Sequence, residues 1–346
     1  VKAAVLHRQG EIRYEEVEIP GIAGNEILVR VKATGICGSD IPRVLGTAAH
    51  FYPIVLGHEF SGEVVEVGPD VTSVAVGERV AVAPLVPCNR CRDCAKGDYS
   101  LCRNYTFIGS RVPGGWAEYV KLPAQNAVKL SDGVSYYQGA FLEPTTVALH
   151  GLALMGFKGG SDVGVLGTGT IGLLALQCAR ALGARRIFAF DINHKRLEVA
   201  KEYGADFCFC TDSEDFRHRV LDLTGGRGLP AVIETGGVEF TEKLSLELAA
   251  NKGSIMFIGT PSQSITLSQR EFEHMNRKEL TVRGSWMSYS APFPGEEWEL
   301  ADHYLDRGLV RVDKLIDRIS PLSDIEAVFA DIAIPGRVSG KVLLTP

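Results

Sequence analysis

One glycine-spaced turn constrains this fold more than any other stretch of the chain. Residues 162–166 form an apolar, strand-like run. Gly167-Thr168-Gly169-Thr170-Ile171-Gly172 follows at once and opens a helical pattern over 171–182. In such a G-x-G-x-x-G loop the first glycine permits the tight turn and the second lets backbone approach a ligand. The third allows helix and strand to pack closely. The alternation then continues, with strand-like 186–190, helical 194–203, strand-like 231–234 and 254–258, and a closing strand at 280–283. Strands and helices in this rhythm build a parallel sheet covered on both faces.

The same stretch predicts a ligand. A helix N-terminus following a glycine turn favours negative phosphate groups. Asp191 ends the next strand, 19 residues beyond Gly172. An acidic residue there hydrogen-bonds an adenine ribose 2′-hydroxyl and repels a 2′-phosphate. Ile192, Asn193 and His194 offer no arginine for such a phosphate. The pattern therefore points to NAD, contacted by Gly167, Gly169, Thr170, Ile171, Gly172 and Asp191. The loop alone is also compatible with a glycine turn in an α/β fold that binds no nucleotide.

The 346 residues suggest two domains. Upstream of the glycine loop the chain changes character. Residues 1–6, 27–31, 64–67 and 117–122 are short Val/Ile-containing runs between turn residues, as in a β-rich domain. A hydrophobic share of 45% excludes a disordered chain. A net charge of −6 argues against a general nucleic-acid binder. No apolar run reaches the ~20 residues of a membrane span. Residues 1–10 lack a secretory signal pattern, so a cytoplasmic location is expected.

Four of the eight cysteines fall in one short stretch, Cys88-x2-Cys91-x2-Cys94-x7-Cys102. Four thiolates on one loop complete a tetrahedral zinc site and leave no open position, so the site reads as structural. Two disulfides are the alternative, disfavoured in a chain with no export signal. Cys178 reads as helix packing, and Cys208 and Cys210 share one face of a strand. Cys37, His58, Glu59 and Glu143 stand apart in sequence. Spacing does not join them, and each has an ordinary core reading. Mixed Cys, His and carboxylate ligation nevertheless suits a catalytic zinc that keeps one exchangeable position.

Taken in order, Gly35-Ile-Cys37-Gly38-Ser39-Asp40, Gly57-His58-Glu59, Gly62, the four-cysteine lobe, Glu143-Pro144 and the glycine loop resemble the zinc-dependent medium-chain alcohol and polyol dehydrogenases. The resemblance covers essentially the whole chain. It implies an α/β fold: a Rossmann coenzyme domain plus a β-rich, partly open, GroES-like barrel. The catalytic domain would be residues 1–138, with its zinc lobe at 84–103. The NAD-binding domain would be 139–289, and 290–346 would return to the first. Two zinc ions per chain and NAD are implied, as is a homodimer or homotetramer. Cys37, His58 and Glu143 would hold the catalytic zinc, with Glu59 ligating or standing just behind. Ser39 would begin a proton relay, Thr146 would lie near the nicotinamide and Arg196 on the adenine side.

Segments 37–43, 49–53, 107–111, 284–289 and 294–298 are similar to the branch of that family acting on polyol phosphates. The expected reaction is hydride transfer from galactitol 1-phosphate to NAD, giving tagatose 6-phosphate. Arg43 and Arg111 would anchor the phosphate, because a planar guanidinium bonds two oxygens at once. His50 and Trp286 would contact the rest of the substrate. An unphosphorylated polyol of the sorbitol type, or L-threonine, is the alternative substrate.

Overall fold

The computed structural model describes residues 1–261 and 263–346. They divide into two compact units. One comprises Val1–Glu143, Tyr289–Arg307 and Val312–Pro346, the other Pro144–Ser288 and Gly308–Arg311.

The second unit is built on a six-stranded parallel sheet. Across the sheet the strands are Phe207–Cys210, Arg186–Asp191, Asp162–Leu166, Leu229–Glu234, Ala249–Phe257 and Thr281–Gly284. The order therefore runs outward in both directions from Asp162–Leu166, whose Leu166 pairs with Phe190 on one side and Glu234 on the other. That reversal is the Rossmann topology, and ligands bind beyond the strand ends at such a switch point. Every residue of Asp162–Leu166 is buried, which explains the apolar character of residues 163–166. Phe188, Phe190 and Phe209 stack in the core, with centroids 5.3–6.3 Å apart. Helix Thr170–Ala181 buries Leu173, Leu174, Leu176 and Cys178 against it. Full burial pushes the Cys178 thiol well above its usual range, as expected of a packing cysteine.

Asp162 opens its strand in an otherwise apolar setting. Its burial opposes ionisation. Arg186 (2.5 and 3.1 Å) and Arg185 (2.8 and 2.9 Å) outweigh this and hold it down at about 2.

The first unit holds a three-stranded sheet and a seven-stranded one. The long strand Glu26–Gly35 is the hub of the larger sheet. It pairs with Glu59–Val67 along one side, and with Tyr119–Pro123 and Lys341–Thr345 along the other. The outer strands Ala127–Lys129 and Ile316–Pro321 are not paired to each other, so the sheet does not close into a barrel. Ile27, Val29, Val31, Phe60, Val64 and Val120 form its core. Trp298 is fully buried, so it packs the interior. Helix Leu142–Met155 is buried on nearly all sides and shows no amphipathic stripe, which is why its pattern is faint in the sequence. Among the described residues no helix is long and apolar enough to cross a membrane.

Candidate metal and coenzyme sites

The cysteine lobe gathers all four sulfurs. Sγ–Sγ separations of 3.5 Å (Cys91–Cys94), 3.9 Å (Cys91–Cys102) and 4.0 Å (Cys88–Cys94) leave no disulfide among them. Four sulfurs placed 2.3 Å from a zinc ion define tetrahedron edges of about 3.8 Å, so the spacing fits the ion. The Cys94 N–H donates to Cys91 Sγ, and this contact brings that thiol down to about 6. Burial pushes its neighbour Cys94 up to about 12. A divalent cation resolves that conflict, since all four ligands are then thiolates.

A second group forms where the turn after strand Glu26–Gly35 meets strand Glu59–Val67. Ligand atoms of Cys37, His58 and Glu59 lie within 4.8 Å of one another. Cys37 caps the short turn Gly38–Asp40, with Sγ accepting from Ser39 N (3.5 Å) and Ser39 Oγ (3.3 Å). In return Asp40 Oδ2 accepts from Cys37 N at 3.0 Å. Asp40 is fully buried, and its Oδ1 lies 3.5 Å from His58 Nδ1, leaving Nε2 available to a metal. Burial disfavours a charged His58, but Asp40 and Cys37 outweigh it and hold its pKa well above the usual imidazole range. A cation in this place satisfies the same negative groups and takes over that proton's role.

Glu143 is not within the close group. Its carboxyl lies in electrostatic reach of His58 and Glu59, and burial is the main cause pushing it up to about 7. Glu59 has a partner that sequence reasoning missed. Lys341 Nζ donates to both of its oxygens (2.5 and 2.7 Å) and to Ile36 O (3.2 Å). Gly35 makes room for this pair, since a Cβ there would stand 2.5 Å from Glu59 Oε2. Asp40 was missed as well, although the Cys-x-x-Asp capping spacing announces it.

The cationic residues expected at the substrate, Arg43 and Arg111, both belong to this unit. Arg43 Nη1 donates to Ser39 Oγ (2.8 Å) and to Asp40 Oδ1 (3.1 Å). Arg111 Cζ stands over the Tyr105 ring, 4.3 Å from its centroid, and Nη2 donates to the Tyr105 hydroxyl at 3.2 Å. His50 is shifted down from its usual range by partial burial first, then by the charges of Arg111 and Arg43. Trp286 lies in the other unit and is half exposed.

In that other unit, the glycine loop has the form of a phosphate cradle. A Cβ on Gly172 would sit 1.9 Å from the Gly167 carbonyl oxygen, so only glycine fits. Helix Thr170–Ala181 starts at Gly169 with no side-chain cap, leaving its first N–H groups for an anion. Asp191 Oδ2 accepts from Thr168 N (2.7 Å) and Oγ1 (2.9 Å), and Oδ1 from Asn193 N (2.9 Å). It thus frames the loop. Arg196 Nη1 stands 4.0 Å from Asp191, and Thr146, buried, shares a 2.7 Å hydrogen bond with Ser288.

Comparison with known proteins agrees with this geometry. Residues 23–132 match the alcohol dehydrogenase GroES-like domain, and residues 170–303 match the zinc-binding dehydrogenase family. Galactitol 1-phosphate 5-dehydrogenase of Escherichia coli (strain K12) is 40% identical over 347 residues, covering 100% of each chain. The crystal structure of galactitol-1-phosphate dehydrogenase from Escherichia coli aligns with a TM-score of 0.95 at 40% identity, covering 100% of both chains. A zinc-binding dehydrogenase of Sinorhizobium meliloti 1021, solved bound to NADP, aligns with a TM-score of 0.91 at 34% identity, covering 100% of this chain and 99% of that one. The chain belongs to the zinc-binding alcohol dehydrogenase family and is an oxidoreductase of its polyol-dehydrogenase type.

Proposed function

We propose that the chain oxidises a secondary alcohol of a polyol phosphate with NAD as hydride acceptor, converting galactitol 1-phosphate to tagatose 6-phosphate. The observation that carries this reading is Arg43 hydrogen-bonded to Ser39, with the charges of Arg43 and Arg111 both acting on His50, on the unit that holds Cys37 and His58. An anion bound by two guanidinium groups is held by charge-assisted hydrogen bonds.

When bound, zinc supplies the Lewis acidity that eases loss of a hydroxyl proton, and NAD supplies the hydride acceptor. Cys37 and His58 would hold that zinc with Glu143 as the third ligand, while Glu59, which stands closer to them, is held by Lys341. Asp40 orients the His58 ring. Ser39 Oγ accepts the proton of the reacting hydroxyl and, turning its own O–H away from Cys37 Sγ, releases that proton to solvent, to which Ser39 is exposed. The carbinol carbon loses one hydride and its oxygen one proton, leaving a ketone. Cys88, Cys91, Cys94 and Cys102 hold a second, structural zinc. Gly167, Gly169, Thr170, Ile171 and Gly172 take the pyrophosphate, and Asp191 takes the ribose hydroxyl and selects NAD over NADP. Thr146 serves the nicotinamide side, Arg196 the adenine side, and Trp286 walls the substrate. The active form is a homodimer or homotetramer.

The test is coenzyme reduction with galactitol 1-phosphate, galactitol, sorbitol and L-threonine at equal concentrations, with zinc present and with NAD or NADP. Turnover confined to the phosphorylated polyol and NAD is expected. Comparable turnover of galactitol, sorbitol or L-threonine refutes the substrate assignment and leaves the dehydrogenase class intact.

A further inference from the structure

Arg43 occupies an unusual position between two tasks. It lies in the short helix Ile41–Val44, three residues after Asp40 and four after Ser39. One nitrogen, Nη1, spends both of its protons there, on Ser39 Oγ at 2.8 Å and Asp40 Oδ1 at 3.1 Å. Asp40 is itself fixed, fully buried, bonded to Cys37 N and facing His58. The guanidinium is therefore anchored to a rigid base.

That anchoring has a consequence for Ser39. A serine hydroxyl carries one proton and two acceptor lone pairs. Arg43 fills one lone pair, so the Ser39 proton cannot point at Arg43. It is directed instead to Cys37 Sγ, 3.3 Å away. The second lone pair is left for an incoming hydroxyl. Without Arg43 the hydroxyl would rotate among several orientations.

The opposite edge of the same guanidinium is uncommitted. Among the described residues, Arg43 Nε and Nη2 make no hydrogen bond, and the side chain is partly exposed. The charges of Arg43 and Arg111 both act on His50, so the two guanidinium groups share one neighbourhood. A planar edge of two adjacent N–H donors matches two oxygens of a phosphate.

We propose that Arg43 couples recognition of the substrate phosphate to proton transfer: its Nη1 orients the Ser39 hydroxyl while its Nε–Nη2 edge binds the phosphate. Arg43 is thus a positioning residue for the chemical step and a specificity residue for the phosphate. The inference rests on the polyol-phosphate reading above.

The experiment uses the zinc-loaded enzyme, with galactitol 1-phosphate and galactitol as paired substrates. Arg43→Met is expected to raise KM for galactitol 1-phosphate by roughly 10- to 100-fold, the range for loss of charge-assisted bonds. It should also lower kcat on both substrates by about tenfold, a loss typical of a disturbed proton-transfer geometry. Arg43→Lys keeps a donor for Ser39 and Asp40 but has no second edge. It should raise KM for the phosphorylated substrate while retaining most of kcat, and it serves if the methionine variant does not fold. Zinc content by elemental analysis should be unchanged in both. In a Ser39→Ala background the kcat effect of Arg43→Met should vanish, whereas a merely structural role would persist there.

A loss confined to KM for galactitol 1-phosphate would leave Arg43 a simple anchor and overturn the coupling. An equal kcat loss on both substrates with KM unchanged would overturn its phosphate role. If the unaltered enzyme shows no preference for the phosphorylated substrate, the polyol-phosphate reading fails and the coupling fails with it. Preference retained in the unaltered enzyme, with Arg43→Met kinetically silent, overturns the coupling alone.

Discussion

Replacing Lys341 by methionine isolates the buried pair behind the candidate catalytic metal. The Lys341 and Glu59 side chains are 6% and 1% exposed, and Nζ contacts both carboxylate oxygens. Methionine fills similar volume but leaves Glu59 as a buried carboxylate without its cation. Removing one partner of such a pair costs about 3–5 kcal/mol, while replacing both by apolar groups is often close to neutral. At about 2–4 °C per kcal/mol for a domain of this size, the melting temperature of Lys341→Met should fall by roughly 10 °C. The assay is thermal unfolding followed by circular dichroism, with a chelator present so that bound metal does not contribute. The double variant Lys341→Met, Glu59→Leu should recover most of the loss. In the same single variant both Glu59 oxygens become free beside Cys37 and His58. Zinc, followed by competition with a chromogenic chelator, should then bind more tightly, by roughly tenfold. A melting temperature within 2 °C of the parent (about 1 kcal/mol or less), or a double variant no better than the single, would refute the reasoning.

Three further outcomes are expected. Asp162→Asn should cost about 1–2 kcal/mol at neutral pH, since Arg185 and Arg186 hold Asp162 at about 2 against an ordinary value near 4. A depressed carboxylate stabilises fully above its unfolded value and loses that effect as pH falls toward its folded one. The gap in denaturant midpoint between parent and variant should therefore narrow from pH ~4 down to ~2. Cys94→Ser should reduce zinc from about two ions per chain to about one and open residues 88–102 to protease, read by elemental analysis and limited digestion. Asp191→Ser should weaken NAD and relax the bias against NADP in a fluorescence titration. It should also loosen the loop around Thr168 and Asn193, whose N–H groups it holds.

What could be read from the sequence follows from how local each feature is. The cysteine lobe and the glycine loop each lie within about fifteen consecutive residues, so spacing alone carries their geometry. The strand–helix alternation of the parallel sheet was legible for a related reason: its central strands carry short apolar runs, such as residues 163–166 and 187–190, bounded by turns. Strand edges were less so. The strand expected at 64–67 runs from Glu59 to Val67, because Ser61 and Gly62 face a crowded neighbour and carry no alternating pattern. The mixed site lay beyond local reading. Glu59 and Lys341 are 282 residues apart and meet only because two strands flank Glu26–Gly35. Arg43 was legible as a phosphate candidate. Its grip on Ser39 and Asp40 was not, because that depends on where a short helical turn aims one flexible side chain.

The hub strand Glu26–Gly35 also sets an order of events in the cell. Its partners include Glu59–Val67, made early, and Lys341–Thr345, made after the whole parallel-sheet unit. On the ribosome, Pro144–Ser288 can therefore finish folding while the pocket around Cys37, His58 and Glu59 still lacks its lysine. Contacts of such long sequence separation form late and slowly. Completion of that group is thus placed after the emergence of residue 341. A nascent chain stalled before that point would carry a folded parallel-sheet unit while the other unit still lacks its last strand.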